Sequence, residues 1–356
     1  MSEAVIDDIV TVLPRLLNAL EALGFFARHL HPPAFGSVMN AIGTPDETLQ
    51  TARTAIGAWP EQFAGLRERL DRACDETLAA FAGIREVERG NGDLVAVFRA
   101  MRHVPRAQEA LYPLAVQFPP VSSFFLNAAN RENTDLLSRL EAVQGEHSGI
   151  FHDHNEPGTR GGFSVYVPEY YTPDRAMPLV MALHGGSGNG RGFLWSWLRD
   201  ARTLGAILVT PTATGPTWAL MGGDSDTPNL MRILETVRGR WTIDASRMLL
   251  TGMSDGGTFC YVTGLDGASP FTHLAPVSAT FHPLMAEMAD AARLQRLPIF
   301  ITHGKLDWMF PVQTARQTQA ALSAAGADVV YREIDDLSHT YPREINVELV
   351  EWLNGE

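Results

Sequence analysis

Three side chains in the C-terminal half of this chain could act together as nucleophile, base and acid. Ser254 stands in Gly252-Met253-Ser254-Asp255-Gly256. Before it, residues 247–252 are short and apolar enough for a buried strand; after it, residues 257–263 can continue as a helix. Gly-x-Ser-x-Gly between a strand and a helix is the nucleophile-elbow pattern. So tight a turn strains the serine backbone, and its flanking positions must be small because a Cβ there would strike the neighbouring elements. The turn lifts the hydroxyl to the top of a sheet and sets the next amide at a helix N-terminus, where an oxyanion can be held.

A lone serine is a poor nucleophile and needs a base, which in turn needs an orienting acid. Residues 297–303 read as a strand running into Gly304-Lys305-Leu306-Asp307, and residues 328–334 as a strand ending in Asp335-Asp336-Leu337-Ser338-His339. Ser254, Asp307 and His339 therefore each follow a strand, with room for whole strand–helix units between them, as parallel neighbours require. Side chains at the carboxyl ends of adjacent strands meet in one crevice. Asp335 and Asp336 compete with Asp307 for the acid role, but they lie too close in sequence to His339, and Asp307 is preferred.

Upstream, the apolar residues 177–183 run into His184-Gly185-Gly186-Ser187-Gly188-Asn189-Gly190. Glycines after a strand let the backbone approach a ligand and aim N–H groups at it. A phosphate-binding loop is the rival reading. The run lacks a Gly-Lys-Ser/Thr ending, and its spacing does not match G-x-G-x-x-G followed by an acidic residue.

With these motifs, residues 163–353 resemble the α/β-hydrolase fold. Within it they are most similar to the carboxylesterase, phospholipase and acyl-thioesterase branch and to polyhydroxybutyrate-depolymerase-like esterases. The resemblance rests on residues 183–190, on Ile243-Asp244-Ala245-Ser246-Arg247, on Gly252-Met253-Ser254-Asp255-Gly256-Gly257, on His303-Gly304-Lys305-Leu306-Asp307 and on Ser338-His339. It implies a triad of Ser254, Asp307 and His339 and an oxyanion hole made by the amides of Gly186 and Asp255. The first loop reads His-Gly-Gly-Ser instead of His-Gly-Gly-Gly, which leaves open whether Gly186 or Ser187 donates. The implied activity is cleavage of carboxylic esters through an acyl-enzyme. A thioesterase, polyester depolymerase or peptidase would use the same triad, and a non-catalytic binding protein can also be built on a hydrolase fold.

Around these motifs, strands are expected near 163–168, 178–184, 205–210, 247–252, 273–279, 298–303 and 328–334, with helices between most of them. That alternation predicts an α/β domain with a mostly parallel sheet over residues 163–356. Residues 1–145 read as an all-helical domain outside the resemblance: Ile6, Ile9, Val10, Leu13, Leu17 and Leu20 recur at helical spacing, and a second stripe marks a helix over 61–82. Thr44-Pro45-Asp46-Glu47 reads as a capping box. This domain is expected to act as a lid, a subunit interface that makes a homo-oligomer, or a packing unit. Residues 146–162 are polar and rich in glycine and read as a linker.

The chain has 356 residues, is 45 % hydrophobic and 19 % charged, and carries a net charge of −13. The acidic balance argues against nucleic acid and anionic membrane surfaces as partners. Its two cysteines, Cys74 and Cys260, read as buried small hydrophobes rather than a disulfide framework. The acidic start shows no secretory signal and no run approaches a spanning helix, so a cytoplasmic location is expected. His152-Asp153-His154 lacks a nearby third ligand, and neither a metal nor a cofactor is expected. His184 and His303 read as structural supports of the site, and His282 as a residue that could line the pocket. Trp195, Trp218 and Trp308 follow strand ends and point to an apolar pocket for a small-molecule ester.

Overall fold

Apolar runs bounded by glycine and proline become strands here because helices cover both faces of the sheet, so successive side chains on either face are buried. Every residue of β2 (Phe163–Val167), β3 (Met177–Leu183) and β4 (Ile207–Pro211) is buried. The computed structural model describes residues 3–141 and 145–355. The chain divides into two units, Met1–Arg131 and Glu132–Glu356.

The first unit is helical: α1 (Glu3–His29), α2 (Phe35–Ile42), α3 (Pro45–Thr54), α4 (Ala64–Glu88), α5 (Leu94–Met101), α6 (His103–Leu111) and α7 (Pro119–Phe124). Pro14 lies inside α1, whose buried stripe includes Ile9, Val12, Leu16, Leu20, Leu23 and Phe26. By length and composition α1 could cross a membrane, with a mean hydropathy of 1.5 over its best window. This corrects the expectation that no run approaches such a length. Its buried stripe is also what a core helix of a bundle presents. The capping box at Thr44 does not form: the Thr44 side chain makes no capping bond, and the Glu47 amide donates to the Thr44 carbonyl instead.

The second unit adds β1 (Gly149–Asp153), β5 (Ile243–Met253), β6 (His273–Val277), β7 (Pro298–Gly304) and β8 (Asp328–Ile334). Its helices are α8 (Thr134–Glu141), α9 (Gly190–Leu204), α10 (Asp226–Arg238), α11 (Asp255–Gly264), α12 (Leu284–Met288), α13 (Ala291–Leu294), α14 (Val312–Ala324) and α15 (Ile345–Asn354). The eight strands form one sheet in the order β1-β2-β4-β3-β5-β6-β7-β8. β1 and β2 are antiparallel to their neighbours, and every pairing from β4 to β8 is parallel. This is an α/β-hydrolase fold preceded by a helical region.

The segment expected to be a linker over 146–162 supplies strand β1, paired with β2 from Gly149↔Val167 to Asp153↔Phe163. Phe151 of β1 packs against Trp241, whose indole N–H donates to the His147 carbonyl at 2.7 Å. The division between units falls after Arg131, with α8 in the second, not at the 145 boundary read from composition. Residues 142–144, next to that expected boundary, lie outside the described residues.

Candidate active site

β5 ends in the turn the glycines foretell. Ser254 sits at φ 56° and ψ −120°, a region that costs a non-glycine residue of order 1–3 kcal/mol. Its amide is held by the Val277 carbonyl at 2.9 Å, and its carbonyl accepts from Thr258 in α11. A Cβ at Gly252 would come within 2.6 Å of the Gly256 backbone, and one at Gly256 within 2.5 Å of the Leu183 and His184 carbonyls. Both glycines are therefore required by close approach of β3, β5 and α11.

The loops after β7 and β8 are joined by backbone bonds, Lys305 N–H to Ile334 O at 2.9 Å and Leu306 N–H to Leu337 O at 3.0 Å. This junction brings Asp307 beside His339. The His339 Nδ1 lies 2.9 Å from Asp307 Oδ2 and 3.1 Å from Oδ1, and its Nε2 lies 3.0 Å from Ser254 Oγ. Asp307 Oδ1 also accepts the amides of Met309 and Phe310 at 2.9 and 2.8 Å. Burial pushes the Asp307 carboxyl up, but the hydrogen bonds from His339 and Phe310, with the neighbouring imidazoles, more than offset this and hold it below its ordinary value. The carboxylate is thus ionised and fixes the imidazole with Nδ1 as donor, leaving Nε2 to accept from the serine.

Ser254 is 8 % exposed and His339 7 %, whereas the Asp307 side chain is fully buried behind the imidazole. Asp335 is turned away and pairs with Lys305 at 2.6 Å. His303 supports the Asp307 turn as expected, its Nε2–H donating to the Phe310 carbonyl at 2.8 Å.

The glycine loop after β3 is fixed by its own histidine. His184 Nδ1–H donates to the Gly185 carbonyl at 2.7 Å, and its Nε2 accepts from the Ala213 amide at 3.1 Å. Burial lowers the imidazole pKa to about 4, partly countered by the bond to Gly185, so it is neutral at pH 7. Because the Gly185 carbonyl also accepts from Gly188 at 3.0 Å, that trans peptide is pinned, and its N–H, which belongs to Gly186, points the opposite way. The Ser187 amide is taken by the Pro216 carbonyl at 3.2 Å. Of the two candidate donors, Gly186 is the one whose neighbour is already engaged. Gly185 lies alongside the nucleophile: a Cβ there would be 3.7 Å from Ser254 Cβ.

The Asp255 side chain does not point to solvent. It instead accepts a hydrogen bond from the Thr217 hydroxyl, in the loop after β4. Two of the three tryptophans assigned to the pocket belong to the packed interior. Trp195 is buried on α9. Trp218 is stacked on Phe259, with its indole N–H on the His184 carbonyl at 2.7 Å. One side of Trp218 lines a cleft of about 600 Å³ formed by residues of the loop from Thr214 to Asp226. Trp308 is 42 % exposed and stands edge-on to the His339 ring at 6.2 Å, beside the exposed Leu306 and Met309. His282 is exposed and accepts from the Leu284 amide. Among the described residues there is no cluster of three metal-ligating side chains.

Residues 228–354 match the model of the phospholipase/carboxylesterase family. A bifunctional acetylxylan esterase/xylanase, XynS20E of Neocallimastix patriciarum, is 31 % identical over 157 residues, covering 43 % of this chain. The chain spans only 22 % of that relative's length. Among solved structures, a thermostable esterase is 19 % identical with a TM-score of 0.47, over 59 % of this chain and 63 % of the other. The S-formylglutathione hydrolase of Staphylococcus aureus is 16 % identical with a TM-score of 0.46, over 57 % and 97 %. Sheet topology and the strand-to-helix turn at Ser254 define the class: the chain has the α/β-hydrolase fold, and about a third of it matches the phospholipase/carboxylesterase model. Its similarity is to the esterase and carboxylesterase type within that class.

Proposed function

We propose that this protein cleaves carboxylic esters through an acyl-enzyme on Ser254. The reading rests above all on the continuous bonding from Asp307 through His339 to Ser254 Oγ. His339 Nε2 takes the serine proton as Oγ attacks the ester carbonyl carbon. The oxyanion so formed is held by the amides of Gly186 and Asp255, the second at the N-terminus of α11, where the helix dipole favours negative charge. Asp307 stabilises the imidazolium, which then protonates the departing alkoxide. A water then attacks the acyl carbon as its proton passes to His339; the bond to Ser254 Oγ breaks, His339 returns the proton to Oγ, and the acid leaves. Each oxyanion donor contributes about 10²–10³ in turnover.

The exposed Leu306, Trp308 and Met309 beside His339 favour an ester with an apolar group. Carboxylic esters are the first substrates to try because the family model is described as phospholipase/carboxylesterase and a relative of part of the chain is named an acetylxylan esterase/xylanase. The test is hydrolysis of p-nitrophenyl esters of increasing acyl length. Ser254→Ala and His339→Ala are each expected to lose about 10⁴-fold or more in kcat while remaining folded. Asp307→Asn is expected to be severely impaired, because the imidazole loses the partner that fixes its tautomer. Full activity in Ser254→Ala would refute the mechanism.

A further inference from the structure

The loop after β4 is tied to the glycine loop and to α11 at three places. Pro216 O accepts the Ser187 amide, the Trp218 indole donates to His184 O, and the Thr217 hydroxyl donates to Asp255 Oδ2. Behind these bonds the loop is closed on itself by Asp226, whose side chain is fully buried. Its Oδ1 accepts the Thr214 amide at 2.7 Å and its Oδ2 the Ala219 amide at 2.8 Å. The stretch from Thr214 to Ala219 is thus a rigid brace that meets α11 twice, by the stacking of Trp218 on Phe259 and, at the helix N-terminus, by the hydrogen bond from Thr217 to Asp255.

The Asp255 carboxylate lies directly over the glycine loop. A Cβ at Gly186 would stand 2.7 Å from Asp255 Oδ2 and 3.9 Å from Thr217 Oγ1. A carboxylate in that place can serve the site or harm it. Held by Thr217, it packs on Gly186 and keeps the two oxyanion amides at a fixed separation. Released, it can turn to accept a hydrogen bond from Gly186, occupying a donor and placing negative charge where the oxyanion must form.

We propose that Thr217 is a positioning residue for the oxyanion hole, acting through the Asp255 carboxylate to hold Gly186 and the N-terminus of α11 in register. The role rests on the ester-hydrolase reading above. Oxyanion donors act only within about 2.7–3.1 Å of the developing charge, and a misplacement of about 1 Å can cost about 10² in rate. Loss of the hydroxyl therefore falls on the transition state rather than on substrate binding.

The test compares Thr217→Val, which keeps the shape and removes the donor, with Thr217→Ser, which keeps the donor. Kinetics on a p-nitrophenyl ester and the rate of Ser254 phosphonylation by a fluorophosphonate are both measured. T217V is expected to lower kcat by about 10–100-fold with KM within about twofold, and to slow phosphonylation in parallel. T217S is expected to recover most of the loss. In an Asp255→Ala background, which retains the backbone amide, T217V is expected to add no further loss, because the partner it acts through is gone. If T217V is recovered unfolded, Thr217→Ala reads the same quantities. A wild-type protein that hydrolyses esters and is phosphonylated, beside hydroxyl-less variants equally fast in both, overturns the role of Thr217 alone. So do losses in T217V and Asp255→Ala that simply multiply. A wild type that neither hydrolyses an ester nor labels at Ser254 overturns the ester-hydrolase reading and this role with it.

Discussion

His184 shows how much one side chain beside a reactive serine can decide without touching the reaction. Buried, neutral and bonded on both ring nitrogens, it fixes the peptide that carries the Gly186 amide. Its pKa of about 4, against 6.5 for a free imidazole, means that the unfolded chain binds a proton more readily than the folded one. The stability this represents is full above about pH 6.5 and is lost as the pH falls towards 4, an effect of about 3 kcal/mol. His184→Gln can keep both hydrogen bonds without titrating, so urea unfolding at stepped pH is expected to show a shallower acid decline in the variant. Equal declines would mean that other groups control the acid limit. Gly256 is the complementary case, where nothing but hydrogen fits. Gly256→Ala drives a methyl into the Leu183 and His184 carbonyls, and is expected to lower stability by about 1–3 kcal/mol, visible as a fall in Tm with reduced turnover.

At the scale of the elements, the strands that carry the site could be read from the chain, and the supports between them could not. The parallel strands β3 to β7 hold near-continuous apolar runs, and Ser254 and Asp307 follow β5 and β7 at recognisable turns, while His339 follows the alternating edge strand β8. β1 escaped because it is an edge strand. Only Gly149 in it is fully buried, and His152 and Asp153 give it the polar look of a linker. The brace from Thr214 to Ala219 escaped for another reason. Thr217, Trp218 and Asp226 meet their partners through contacts that no local spacing encodes, with Thr217 Oγ1 reaching Asp255 in α11. Trp195 and Trp218 were placed in the pocket because they follow strand ends. Trp195 is instead buried on α9, and Trp218 is largely buried against Phe259 of α11 while still lining the cleft after β4, since a large apolar side chain gains most from burial. Asp226→Ala leaves the part-buried amides of Thr214 and Ala219 without their acceptor and is expected to destabilise the second unit by about 1–3 kcal/mol. Thermal unfolding of the variant measures this, and an unchanged Tm would show that the loop is not held by that carboxylate.

The molecule joins an α/β-hydrolase unit to a helical one, and the boundary has a practical consequence. A chain starting at Glu132 keeps β1 and the Phe151–Trp241 contact; one starting at Phe163 loses both and leaves β2 as an open edge. The shorter chain is expected to melt lower and to aggregate more than the one from Glu132, as scanning calorimetry and light scattering would record. Equal behaviour would mean that β1 adds nothing to the sheet. Of the whole protein the central claim is a covalent one, that the acyl group of an ester passes through Ser254. It is tested most directly by mixing the full chain with a p-nitrophenyl ester, quenching in acid within milliseconds and weighing the intact protein. The acyl-enzyme route requires one added acyl mass per chain, mapped by peptide digestion to Ser254 and missing from Ser254→Ala. An ester hydrolysed at full speed with no adduct at any quench time, or with the adduct on another residue, would contradict it.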